Sequence, residues 1–317
     1  MDKSKEGYPV EAFADRLAEA VRRTAAPVVV GLDPRLEGLP PSLTPKDPSP
    51  AAATLAVERF CREVIDVVAR HVPAVKPQAA FFEQWGPAGM QALAHVIAYA
   101  QQKGLLVIVD GKRNDIGSTA AAYADGWLGP GGASPWGADA LTVNPYLGDD
   151  AVRPFIQTAQ ARQAGLFVLV KTSNPGSRQF QDLVAEGRPL YEHVGRWVES
   201  WAEQTLASCG YGLVGAVVGA THPTQLAELR TLMVHTWFLV PGYGAQGGGA
   251  RDVAGAFDDR GLGAVIVSAR AILFAYQSSP YRERFGPDRW QEAVAAATCD
   301  MIAQLRAETP AGRLTLP

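Results

Sequence analysis

Eight apolar runs of strand length punctuate the chain, at residues 27–33, 74–77, 105–112, 140–144, 166–172, 213–219, 237–241 and 264–268. Their hydrophobic residues are continuous rather than alternating, the pattern of parallel strands covered on both faces. Longer stretches with apolar residues at helical spacing lie between them. Leu55, Phe60, Val64 and Val68 mark one in residues 51–72, and residues 90–102, 191–208 and 224–233 read the same way. Another amphipathic segment, about residues 10–24, precedes the first strand, and one at about 288–308 follows the last. Eight βα units predict an α/β fold of the TIM-barrel type, a single-domain (β/α)8 barrel spanning residues 1–317. A doubly wound open sheet is the alternative, because periodicity does not encode closure. Two stretches rich in proline and glycine, residues 35–50 and 129–137, read as surface excursions from the barrel.

In such a barrel the chemistry sits at the C-terminal ends of the strands. Asp110-Gly111-Lys112-Arg113-Asn114-Asp115 closes the third run. Residues two apart on a strand point the same way, so Asp110 and Lys112 should leave its end side by side, with Asp115 shortly after. Opposed charges ending an oily strand are costly unless they pair or work. Lys76, within the second run, reads as a snorkelling strand lysine or a pocket residue, and Asp33, which ends the first run before Pro34, reads equally as a turn cap or a ligand contact. Strand five ends Lys171-Thr172-Ser173-Asn174, and Asn174 before Pro175-Gly176 has the chemistry of a plain turn. A glycine-rich stretch, residues 241–249, follows strand seven, and Arg270 follows strand eight. That pair matches the phosphate site of the fold: loop amides and a helix N-terminus facing the anion, with a bidentate charge from Arg270. His71, His95, His193, His222 and His235 lie on helices or their edges in no metal-like set, so each reads as structural.

Composition narrows the function further. With 47% hydrophobic and 19% charged residues the chain has globular composition, and a formal charge of −3 leaves no broad basic face for nucleic acid. An anionic ligand must therefore be held by a local pocket. Cys61, Cys209 and Cys299 are far apart and odd in number, which suits a reducing compartment. The N-terminus is too polar for a signal peptide and no apolar stretch reaches membrane-spanning length, so a cytoplasmic protein without a membrane partner is expected.

Taken in order, the strand ends resemble the orotidine 5′-phosphate decarboxylase family in its longer bacterial type. The matching blocks begin with Gly31-Leu32-Asp33-Pro34, Val75-Lys76-Pro77-Gln78-Ala79-Ala80-Phe81-Phe82-Glu83 and Val109-Asp110-Gly111-Lys112-Arg113-Asn114-Asp115-Ile116-Gly117-Ser118-Thr119. They continue through Asn144-Pro145-Tyr146-Leu147-Gly148, Val170-Lys171-Thr172-Ser173-Asn174-Pro175-Gly176-Ser177, Val240-Pro241-Gly242-Tyr243-Gly244-Ala245-Gln246 and Val267-Ser268-Ala269-Arg270. The resemblance implies decarboxylation of orotidine 5′-phosphate to UMP without metal or cofactor. It implies a catalytic array of Lys76, Asp110, Lys112 and Asp115, with Lys112 protonating C6. It also implies a homodimer with shared active sites, in which Asp115 and Thr119 reach the ribose of the neighbouring subunit. Asp33 would hold a ribose hydroxyl, Ser173 the pyrimidine with Thr172 beside it, and Gln246 and Arg270 the phosphate. Tyr243 is the candidate for a further aromatic phosphate contact, while Glu83 and Asn144 lie near the rim without an assigned role. The rival readings are a Mg²⁺-dependent sugar-phosphate decarboxylase or aldolase of the same barrel group, and a catalytically silent barrel that binds nucleotide phosphate.

Overall fold

The computed structural model describes residues 11–47, 49–244 and 247–315. The eight apolar runs form the strands β1 (Val28–Leu32), β2 (Ala74–Pro77), β3 (Leu106–Arg113), β4 (Ala140–Val143), β5 (Gly165–Lys171), β6 (Val214–Val218), β7 (Phe238–Val240) and β8 (Ala264–Ser268). They are parallel and pair in chain order. The ring closes because β1 pairs with β2 on one edge and β8 on the other, with Gly31 opposite Lys76 and Val28 opposite Ile266. The barrel is therefore closed, and the open-sheet alternative falls. Strand residues are buried almost throughout, which is why their sequences run apolar without alternation.

The longer helices are α1 (Phe13–Thr24), α2 (Pro50–Val68), α3 (Gly86–Gln102), α4 (Gly117–Trp127), α5 (Asp149–Arg162), α6 (Leu190–Glu203), α7 (Pro223–Leu232) and α8 (Trp290–Glu308). Six of them lie where periodicity puts them. The exceptions are α4 and α5, whose sequences hide the helix: α4 is built mostly of small residues, and α5 carries Pro154 inside it. The stretch 191–208 is helical only to Glu203. There the chain folds back, and Gly212 lies so close to the Ala202 carbonyl that a Cβ would sit 2.3 Å from its oxygen.

Both excursions are pinned rather than loose. In the first, Leu39 and Leu43 are buried, and Tyr276 Oη donates to the Gly38 carbonyl at 2.6 Å. In the second, Trp136 stacks on Trp127 with ring centroids 4.8 Å apart.

The end of the barrel opposite the strand C-termini is sealed by α1. Phe13 packs edge-on against Phe167 of β5. Arg16 pairs with buried Asp139, which also accepts from Gln101 Nε2 at 3.0 Å and from the Val107 amide at 2.9 Å. One carboxylate thus ties α1, α3, β3 and the start of β4 together. Asp139→Ala should cost about 3 kcal/mol of unfolding free energy in urea, because it leaves Arg16 and the other donors uncompensated. Since Asp139 lies far from the strand C-termini, ligand affinity measured on the folded variant should stay unchanged.

Candidate active site

At the C-terminal rim β2, β3 and β4 converge on one carboxylate. Lys76 Nζ donates to Asp110 Oδ2 at 2.7 Å, and Lys112 Nζ to Oδ1 at 2.5 Å. Gln78 Nε2 adds a bond to Oδ2 at 3.0 Å, and Thr142 Oγ1 one to Oδ1 at 3.0 Å. Lys76 and Asp110 are buried, whereas the Lys112 side chain is 45% exposed and faces the open mouth. The array therefore has a dry inner end and an accessible lysine.

The juxtaposition of Asp110 and Lys112 does not come from regular strand alternation. Val109 pairs with Leu141 and Arg113 with Val143, so β3 carries extra residues against β4 across this stretch. Lys112 sits in the left-handed region at φ +47°. That conformation costs a non-glycine residue on the order of 1 kcal/mol. Thr142 holds the bulge: its hydroxyl accepts from the Lys112 amide at 2.9 Å while donating to Asp110. Arg113, paired with Glu83, donates to the Gly111 carbonyl at 2.9 Å and braces the other side.

Thr142 lies outside the matching blocks, and Gln78 lies within one but carries no role there, so neither is among the predicted site residues. The only sequence signal for Thr142 is a hydroxyl within an otherwise apolar four-residue strand.

The charges are strongly coupled. Burial works to raise the Asp110 pKa, but the ammonium groups of Lys76 and Lys112 outweigh it and hold the carboxyl far below its usual range. Burial would likewise lower Lys76, and Asp110 with Asp33 instead holds it above the ordinary lysine value. Asp33 is pushed up, chiefly by burial, against the opposing pull of Lys76. Its Oδ1 is buried with no hydrogen-bond partner among the described residues. A bare carboxylate oxygen at the mouth of a site is an acceptor waiting for an O–H or N–H. Asn114 Nδ2 is the complementary case, a buried donor without an acceptor among the described residues.

Other predicted residues stand apart from the array. Asp115 forms no ion pair among the described residues; its Oδ1 accepts from the Ile116 amide at 2.8 Å, and Thr119 is exposed on the first turn of α4. Within this chain, therefore, the four-residue array is a three-residue one.

Thr172 and Ser173 follow β5, with Ser173 lying against Gly219 at the end of β6, where a Cβ would come within 2.7 Å of the serine backbone. Lys171 is fully buried and pairs with Asp182. Asn174 accepts from Thr172 Oγ1 at 2.7 Å, as a turn residue does. Asn144 Oδ1 accepts from the Tyr146 amide at 3.0 Å, a local turn as well.

Arg270 opens a short helix, Arg270–Leu273, and is exposed at the mouth of β8. Gln246 lies outside the described residues. The loop after β7 differs from expectation. The amides of Gly244, Gly247 and Gly248 donate to carbonyls within the loop, and that of Gly249 to Asp252 Oδ2 at 2.7 Å. Among the described residues these four loop donors are therefore already used, whereas the Arg270 side chain is exposed. Tyr243 is also not a rim contact: it is buried and its Oη donates to Gln304 of α8 at 2.9 Å.

Fold and site define a (β/α)8 barrel with a largely buried lysine–aspartate array at its C-terminal rim and an exposed arginine following β8. Comparison with known proteins makes this specific. A profile described as the orotidine 5′-phosphate decarboxylase / HUMPS family matches residues 26–280. A protein of Rhodopirellula baltica named orotidine 5′-phosphate decarboxylase is 53% identical over 93% of this chain and 99% of its own length. One of the same name from Haloarcula marismortui is 42% identical over 92% of this chain and 98% of its own. The solved structure of Leishmania donovani OMP decarboxylase superposes with a TM-score of 0.72 at 30% identity, covering 94% of this chain and 98% of that one. The chain belongs to the orotidine 5′-phosphate decarboxylase family.

The depressed Asp110 pKa makes a stability prediction. Its contribution is present above the unfolded carboxylate value of about 4 and is lost as pH falls through the folded one. Asp110→Asn should lose about 3 kcal/mol near neutral pH, because Lys76 is left buried without its main partner. In denaturant titrations the gap from wild type should narrow as the pH drops to about 3, and a gap that widened there would contradict the assignment.

Proposed function

We propose that the protein decarboxylates orotidine 5′-phosphate to UMP, using Lys76, Asp110 and Lys112 without a metal or organic cofactor. The observation that carries this reading is a carboxylate whose two oxygens are both held by lysines, one of which opens onto the mouth of the barrel. Departure of CO₂ from C6 leaves an electron pair in the plane of the pyrimidine, where no π system can delocalise it. Fixed positive charge beside C6 in a water-poor site is the remaining way to lower the barrier. Lys112 supplies that charge and then gives its proton to C6 as general acid. Asp110 faces the substrate carboxylate and, with Lys76, keeps Lys112 aimed.

The partnerless Oδ1 of Asp33 suits a ribose hydroxyl, and Arg270 suits the phosphate, with Gln246 assigned the same role from the family pattern. Binding energy from the phosphate then closes the site over the ring. Thr172 and Ser173 take the pyrimidine edge.

The Mg²⁺-dependent sugar-phosphate reading finds less support. Asp110 spends both oxygens on ammonium, amide and hydroxyl donors, leaving poor access for a hard cation that needs free carboxylate lone pairs. Following loss of the ultraviolet band of orotidine 5′-phosphate with EDTA present separates the two. Full activity in chelator is expected, and abolition by EDTA with rescue by Mg²⁺ would sink the metal-free mechanism. Lys112→Ala should lower kcat at least about 10³-fold while UMP still binds, measured by steady-state kinetics and calorimetry.

A homodimer with shared sites completes the proposal. Asp115 forms no ion pair among the described residues and Thr119 is exposed, while Ile116, Tyr123, Tyr146, Leu147 and Phe180 are exposed as well. So much exposed apolar surface beside a site favours a protein partner, and an isologous second copy would bring Asp115 to the neighbouring array. Mixing inactive Lys112→Ala with inactive Asp115→Ala subunits should restore about a quarter of wild-type activity after random exchange, since half of the dimers then hold one intact site. No recovery, despite exchange shown by light scattering of tagged subunits, would argue against sharing.

A further inference from the structure

One buried histidine at the rim has no part in the chemistry above. His222, at the start of α7 and only 7% exposed, places Nε2 at 3.2 Å from the Thr172 carbonyl and 3.4 Å from Ser177 Oγ. The preceding residue does the same to the next carbonyl: Thr221 Oγ1 donates to Ser173 O at 3.0 Å. A carbonyl can only accept, so Nε2 carries the proton, and Ser177 Oγ is a second acceptor for it. Burial, reinforced by the nearby charge of Lys171, pushes the imidazole below its usual pKa and keeps it neutral.

Two consecutive residues after β6 therefore hold two consecutive carbonyls after β5. From the opposite side Gln181 clamps Thr172, its Oε1 accepting from the Thr172 amide at 2.9 Å and its Nε2 donating to Oγ1 at 2.8 Å. The register between β5 and β6 shifts at Leu169–Lys171, so the segment has left the sheet ladder and depends on these bonds for its position. Every backbone group they fix belongs to the turn bearing Ser173, whose own hydroxyl has no hydrogen-bond partner among the described residues.

We infer that His222 and Thr221 are positioning residues that fix the Thr172–Ser173 backbone, so that the Ser173 hydroxyl meets the pyrimidine ring at one defined place. The inference rests on the proposed ring contact of Ser173. It sets recognition of the base apart from that of the sugar phosphate, which Arg270 and Asp33 take on other strands. His222→Leu removes the donor, His222→Gln keeps one near the position of Nε2, and Thr221→Val removes the second bond with little change in shape.

The test measures inhibition constants for UMP and for ribose 5-phosphate, which lacks the ring. His222→Leu and Thr221→Val should each weaken UMP about tenfold, leave ribose 5-phosphate within about twofold, and raise KM more than they lower kcat. His222→Gln should recover most of the UMP affinity. Equal weakening of both ligands, or no difference between the Leu and Gln variants, overturns the inference. Should His222→Leu fail to fold, Thr221→Val carries the same comparison. Ser173→Ala separates the two layers. If it shows the ring-specific loss while the His222 and Thr221 variants do not, the positioning role alone is wrong; if it binds UMP normally, the ring contact is wrong and the positioning role falls with it.

Discussion

Asp110 accepts four hydrogen bonds, from Lys76, Gln78, Lys112 and Thr142, and these donors come from three neighbouring stretches of chain. A buried carboxylate and a buried ammonium each lose several kcal/mol of hydration, and their attraction offsets this only when the remaining lone pairs are satisfied too. Here they are. The consequence is mechanical as well as electrostatic: β2, β3 and β4 cannot shift relative to one another at the rim without stranding a charge. Replacing such an array by aliphatic residues would be no loss to folding in general terms. Its presence at the chemically active end of the barrel therefore argues for use rather than for stability.

The backbone follows the same division. Towards the strand N-termini the ladder is regular, and α1 seals it with Phe13 and the Arg16–Asp139 pair. Towards the C-termini the register slips twice, between β3 and β4 and between β5 and β6. Each slip lies next to residues with a proposed role: Lys112 in the left-handed region at the first, Thr172 and Ser173 at the second. A bulge re-aims a side chain that strict alternation would fix. Side chains of the neighbouring segment then take the place of ladder bonds, Thr142 of β4 in one case and Thr221 and His222, just after β6, in the other.

The loop after β7 behaves differently. Several of its glycines have positive φ, and the described amides of Gly244, Gly247 and Gly248 donate to carbonyls within the loop. Phosphate recognition through those amides would require the loop to exchange internal bonds for bonds to an anion. The exposed Arg270, assigned to the phosphate in the proposed function, needs no such exchange.

By itself the sequence determined the strands, most of the helices and the end of the barrel where the candidate site lies. Continuous apolar runs ending in charge can be satisfied only by covered parallel strands with a polar rim. It also contained Lys76, Asp110 and Lys112, because charges ending oily strands stand out against their surroundings. It could not show closure of the barrel, since pairing of β1 with β8 joins residues more than two hundred positions apart. Nor could it show α4 and α5, whose small residues and internal proline blur the helical period. Thr142, Gln78, Thr221 and His222 are ordinary residues until tertiary packing brings them to a carboxylate or a carbonyl. Tyr243, a candidate for a phosphate contact on the family pattern, instead has its hydroxyl turned to Gln304. Periodicity reports which face of an element is buried, whereas partners across strands are set by register, and register is decided only when the ring closes.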